Sequence, residues 1–178
     1  LFFSLITAFG QNSSKYSNEF LNIGVDARSI GMANAVVSSV NDVNSTYWNP
    51  AGLLNIERDE IALMHSSYFA NIANYNFISY AKSIDNESAI GFSLIRFGVD
   101  DIMDTTHLID SQGNIDFNRI ELFSAADYAF LFSYAKKNKL LNLNYGFNIK
   151  MIRRIIGDFA NSWGFGIDFG VQHKSNNG

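Results

Sequence analysis

Cysteine is absent from this chain of 178 residues, which excludes disulfides, thiolate metal sites and a cysteine nucleophile. Proline occurs once, at Pro50. Charged residues make up only 17% and the formal net charge is −4, so the basic footprint of a nucleic-acid binder is missing. No segment holds the roughly 18 uninterrupted apolar residues that a membrane-crossing helix needs. What is present is 47% apolar and 15% aromatic. Phe, Tyr, Asn, Ser, Gly and Ile each outnumber Glu and Lys, a β-rich texture in which neutral polar residues replace charges. The length suits one ordinary domain.

The first ten residues, "LFFSLITAFG", form a short apolar run ending in the small-x-small triplet Ala8-Phe9-Gly10, followed by Gln11-Asn12-Ser13-Ser14. That is the pattern of an export signal and its cleavage site, without an initiating Met or a basic leader. The alternative is a buried first strand. Residues 1–10 are therefore expected to be the remnant of a signal peptide. The chain is then exported and either soluble or inserted in a membrane without helices.

Residues 11–56 are mixed in pattern. Phe20, Leu21, Ile23 and Val25 fit a short amphipathic turn, and "DARSIGMANAVVSSV" is rich in small residues. Asp42, Asn44 and Ser45 are N-cap candidates for a brief helix running toward Trp48. Asn49 precedes Pro50 and is pushed out of the α region, so the helix should stop there. Gly52 is then free to take a positive φ. The segment reads as a partly helical plug, with Tyr47 and Trp48 anchoring it by packing.

Beyond Glu57 the period changes to two. "NLNYGFNIKMI" sets Leu143, Tyr145, Phe147, Ile149 and Met151 against Asn142, Asn144, Gly146, Asn148 and Lys150. "WGFGIDFGVQ" sets Trp163, Phe165, Ile167, Phe169 and Val171 against Gly164, Gly166, Asp168, Gly170 and Gln172. Noisier alternation covers 60–69, 74–83, 88–97 and 126–136. The pattern predicts six strands of about ten residues, the length a tilted membrane strand requires. Short polar turns near Asp85, Asn138 and the final "KSNNG" alternate with links at 70–73, 98–124 and 154–161. That asymmetry matches an outer-membrane barrel with its short turns in the periplasm.

A soluble β-sandwich also alternates, but its aromatic face needs a partner sheet, whereas lipid serves a barrel. Six strands cannot close an outer-membrane barrel, which starts at eight, and open edges are not tolerated in lipid. The chain is accordingly read as a fragment lacking later strands.

No constellation carries catalysis. His65, His107 and His173 are scattered over a strand, a loop and the last turn, and no GxSxG elbow accompanies any Ser-His-Asp combination. Asp100, Asp101, Asp104, Asp110 and Asp116 miss the EF-hand spacing and read as a solvated loop. The glycines of "GFGIDFG" thin one face of a strand and are followed by no helix that would complete a phosphate loop. Arg153 and Arg154 sit at a strand's outer end, as a rim charge or a contact to lipid phosphates. The reading is non-enzymatic, with no catalytic residue, cofactor or metal.

"NEFLNIGVDARSIGMANAVVSSVNDVNSTYWNPAGL" resembles the N-terminal signature of the PorV/PorQ family, outer-membrane barrels related to FadL-type fatty-acid transporters. The matching positions are Phe20, Leu21, Ile23, Gly24, Ala27, Arg28, Gly31, Met32, Ala33 and Ala35. They continue through Asp42, Tyr47, Trp48, Asn49, Pro50, Ala51, Gly52 and Leu53. The resemblance implies an all-β, antiparallel transmembrane β-barrel of FadL-like type. It would have about fourteen strands, of which residues 57–178 supply the first six, with residues 11–56 as the plug. It also implies an outer-membrane place in the type IX secretion system, shuttling or scaffolding exported cargo. The implied partners are outer-membrane lipid, the translocon barrel, the sortase and the C-terminal signal domains of cargo. "ARSIGM" and "YWNPAGL" lean toward the PorV-like branch. A FadL-like transporter for hydrophobic small molecules is the alternative, disfavoured by an inward row of Asn, Gly, Ser, Asp and Lys. A soluble exported β-sheet protein is a third reading. "YWNPAGL" itself reads as a structural hinge.

Overall fold

A computed structural model describes residues 18–109 and 112–173. The expected export segment 1–10, Asp110 and the "KSNNG" turn lie outside these residues.

The period-two segments form six strands: β1 (Glu60–Tyr68), β2 (Ala73–Asp85), β3 (Ser88–Asp104), β4 (Glu121–Asn138), β5 (Leu143–Ile156) and β6 (Ala160–Gln172). Each pairs antiparallel with its chain neighbour in the order β1-β2-β3-β4-β5-β6, and the sheet is not closed. The protein is all-β, and no described helix is long and apolar enough to cross a membrane. Side chains that accept from the turn backbone close the tight connections. Asp85 Oδ1 accepts from the Glu87 amide at 2.7 Å, and Asn138 Oδ1 from the Leu140 and Leu141 amides at 3.0 and 3.2 Å.

Two expected links prove shorter. β3 runs on to Asp104 and β4 starts at Glu121, so the long loop is 105–120 rather than 98–124. The extension is hidden in sequence by a bulge between Val99 and Ile102, where Asp101 takes φ 57° and breaks the alternation. Likewise β5 reaches Ile156, leaving 157–159 as a tight turn. The loop asymmetry therefore rests on 105–120.

The plug lies across one face of the sheet, called here the inner face. Its helices are a 3-10 turn (Glu19–Asn22), α1 (Ala27–Gly31), α2 (Ser45–Trp48) and a second 3-10 helix (Pro50–Asn55). Asp26 caps α1, accepting from the Ser29 amide at 3.1 Å and the Ser29 hydroxyl at 2.9 Å. α2 stops where expected, with Asn49 extended at φ −161° and ψ 104°. Gly52 takes no positive φ; it sits inside the second 3-10 helix. Its smallness serves a close approach instead, since a Cβ there would fall 2.5 Å from the Val40 carbonyl oxygen.

Two apolar clusters join plug to sheet. Phe20 and Val25 pack on Tyr75, Phe77, Ile95, Leu131 and Ile152. Val43, Leu53 and Ile56 pack on Ala81, Ala89 and Ala135. The inner face of β2–β4 is thus more apolar than expected, and the plug fills it. The inner rows of β5 and β6 are polar and small as expected, with Gly146, Asn148, Gly164, Asp168 and Gln172.

Candidate functional site

Three surfaces carry the chemistry: the seam beneath the plug, the outer face, and the rim at 105–120.

At the seam, "YWNPAGL" lies flat on strand backbone. A Cβ at Gly91 would meet Thr46 Cγ2 at 2.4 Å, one at Gly146 the Pro50 carbonyl carbon at 2.6 Å, and one at Gly170 Asn49 Oδ1 at 2.1 Å. Only glycine admits this approach at all three positions. By contrast, Cβ atoms at Gly164 and Gly166 would come no nearer than 3.6 and 3.7 Å to any neighbour. These two only thin the strand.

The plug's hydrogen bonds are specific to this seat. Thr46 Oγ1, Ser79 Oγ and Ser93 Oγ form a buried triangle with edges of 3.0, 2.8 and 2.5 Å. Asn148 Nδ2 donates to the Thr46 carbonyl at 2.8 Å. Asn49 Nδ2 donates to the Val37 and Val171 carbonyls at 2.9 and 3.3 Å, while its Oδ1 accepts from the Ala51 amide at 3.1 Å. Gln172 Nε2 reaches the Ser38 and Val40 carbonyls at 2.9 and 3.0 Å. At the opposite edge, Glu60 Oε2 accepts from the Val43 amide at 2.8 Å. β1, β2, β3, β5 and β6 therefore all hold the same segment.

Within the plug, Tyr47 and Trp48 clasp its first turn. The Tyr47 hydroxyl donates to the Leu21 carbonyl and Trp48 Nε1 to the Val25 carbonyl at 3.3 Å. The two rings meet edge to face at 4.8 Å. Burial pushes the Tyr47 phenol above its ordinary range.

The motif residues separate by face. Phe20, Gly24, Asn49, Pro50, Ala51, Gly52 and Leu53 are buried, and Leu21, Ile23, Asp42, Tyr47 and Trp48 are half-buried. Ala27, Arg28, Gly31, Met32, Ala33 and Ala35 are exposed.

The outer face is apolar. The register places Leu63, Ile78, Leu94, Phe130, Met151 and Phe165 side by side as cross-strand partners. The next row is Ile61, Tyr80, Phe92, Phe132, Ile149 and Ile167. Phe165, Ile167 and Phe169 are 75%, 78% and 71% exposed. The polarity is inverted relative to a water-soluble sheet, with small and polar residues toward the plug and large apolar ones outward on β5 and β6.

The neighbouring arginines part company at this boundary. Arg154 points inward and grips Asp127 in two bonds, at 2.6 and 2.7 Å. Arg153 points outward, its guanidinium carbon 4.7 Å from the Trp163 ring centre.

The histidines stay apart: His65 bonds Asn76 at 2.7 Å, His173 bonds the Asn142 carbonyl at 3.0 Å, and His107 lies on the rim. The described loop aspartates have separate local partners. Asp100 pairs with Arg96 at 2.6 Å, Asp104 accepts from Thr106 at 2.5 Å and Asp116 pairs with Arg119 at 3.5 Å. The rim also exposes large apolar side chains, with Ile109, Ile115 and Phe117 at 64%, 60% and 71%. Sequence reading found this loop by its aspartates and passed over its apolar residues, because no periodicity links them.

Two comparisons, with curated proteins and with solved structures, give no match. A family model described as type IX secretion system protein PorV matches residues 9–177.

Proposed function

Because this chain belongs to the PorV family of type IX secretion system proteins, we propose that it binds exported cargo at the cell surface as a non-enzymatic, outer-membrane barrel component of that system. Family membership carries the outer-membrane, β-barrel and secretion assignment. Cargo binding is the added step, and the rim supports it. Ile109, Ile115 and Phe117 crowd an exposed loop at the end of the sheet opposite the β2–β3 and β4–β5 turns, and apolar side chains grouped in this way suit protein contact. Translocon, sortase and C-terminal cargo signals are the partners proposed for that rim. In this reading residues 1–10 are a signal peptide remnant, 11–56 a plug and 57–178 barrel strands.

The FadL-like alternative needs an apolar lumen open to solute. The apolar inner surface of β2–β4 is instead occupied by Phe20, Val25 and Leu53 of the plug, which favours the cargo-binding reading.

The test is affinity capture of the tagged full-length protein from detergent-solubilised outer membrane. Recovery of translocon, sortase or signal-bearing cargo, lost when Ile109, Ile115 and Phe117 are changed to Ser, supports the proposal. Recovery of none, together with lost uptake of an apolar solute on deletion, overturns it.

A further inference from the structure

The geometry points to a binding site for an anionic phospholipid on the outer face, with its phosphate on Arg153 and Arg96 and its acyl chain along β1–β3. This inference rests on the membrane reading of that face.

An outer row next to the apolar ones consists of His65, Asn76, Arg96, Tyr128, Arg153 and Trp163, each the cross-strand partner of the next. Polar and apolar rows therefore meet along one line. Tyr128 stands between the two arginines, accepting from Arg96 Nε at 3.3 Å. Arg96 spends one further contact on Asp100, at 2.6 Å. Arg153 has no hydrogen-bond or ion-pair partner among the described residues and is only half-buried. A guanidinium on a lipid-facing surface is tolerated where it meets an anion, and a phosphate diester suits its forked donors. Stacking on Trp163 holds the Arg153 plane in place.

The second observation is a trough on the same face, with a volume of about 600 Å³. Leu63, Ile78 and Leu94 line its apolar part, and His65, Asn76, Arg96 and Tyr128 its polar part. A volume of this size falls within the ordinary range of ligand sites. Cation, aromatic and apolar trough are thus aligned as headgroup, interface and chain would be. This alignment separates the site from a general lipid annulus, and charge complementarity selects an anionic lipid over a neutral one.

The experiment uses the full-length protein in nanodiscs of phosphatidylcholine containing a minor share of phosphatidylglycerol. Lipid retained on the protein is read by native mass spectrometry. We expect one retained phosphatidylglycerol, with retention reduced about tenfold in R96Q/R153Q, the size of a lost charge-assisted contact. R153K should recover only part of it, because an ammonium keeps the charge but loses the fork and the stacking on Trp163, and R119Q, which alters a rim arginine, should leave it unchanged. Heat-dependent gel mobility confirms that each variant is folded. Equal retention in wild type and R96Q/R153Q overturns the proposal. Displacement by inorganic phosphate alone overturns it in favour of a free-anion site, and a protein chain retained in the trough overturns it in favour of a protein groove. Extraction of the protein from membranes by carbonate would sink both this inference and the membrane reading. An inserted protein without the lipid sinks this inference only.

Discussion

Asn49 sits over Gly170 so closely that a β-carbon at position 170 would lie 2.1 Å from its side-chain oxygen. The two residues are far apart in sequence, and their contact fastens the end of α2 to the last described strand. Gly146 beneath Pro50 and Gly91 beneath Thr46 repeat the arrangement on β5 and β3.

The first prediction follows from that spacing. Gly146→Ala or Gly170→Ala should displace the plug at a cost of about 1–3 kcal/mol, the usual penalty for overpacking. Gly164→Ala and Gly166→Ala, whose Cβ atoms meet nothing closer than 3.6 Å, should be neutral or slightly stabilising. Trypsin cleavage at the exposed Arg28 is the readout, faster in the first pair and unchanged in the second.

The hydroxyl triangle supplies the second. Ser93→Ala leaves buried partners on Thr46 and Ser79 without one of their bonds, costing about 1–3 kcal/mol. Replacing all three, as T46V/S79A/S93A, should cost less than the sum of the single changes, because no orphaned hydroxyl remains. Thermal unfolding of the full-length protein in detergent checks both; strict additivity would show that the triangle is not a coupled unit.

A third prediction separates lipid from water on the outer face. Ile167→Arg should cost about 2–4 kcal/mol if the position lies near the middle of the bilayer, and membrane-inserted yield should fall. In a soluble sheet the same change, at a position already 78% exposed, would be harmless.

The Asp127–Arg154 pair supplies the fourth. Arg154 is 41% and Asp127 15% exposed, so solvent screening limits their coupling to about 1 kcal/mol in a double-mutant cycle of D127N and R154Q. Arg153→Gln should leave that coupling intact, since its side chain lies on the other face.

Strand number and the inverted polarity of β5 and β6 were legible in sequence, because Leu143 to Met151 and Trp163 to Gln172 each alternate without interruption. The strand ends were less so. Asp101 sits in a bulge that shifts the phase of Ile102 and Met103, and local pattern reading stops at such a shift. The apolar inner face of β2–β4 was hidden for a different reason. Tyr75, Phe77, Ile95 and Leu131 alternate with residues that are partly apolar too, so period-two analysis cannot say which side meets the plug. Nor does any local signal distinguish Gly170, pressed by Asn49, from Gly166, which nothing presses. That difference exists only in the tertiary contact.

The most direct test of the membrane reading uses the two tryptophans, Trp48 in the plug and Trp163 on the outer face. In the full-length protein reconstituted into bilayers, each is kept in turn as the single tryptophan, with all others changed to Phe. Fluorescence quenching by brominated lipid acyl chains is then measured. The account predicts strong quenching of Trp163 and little of Trp48. Quenching of neither, with Trp163 instead open to aqueous iodide, would contradict it.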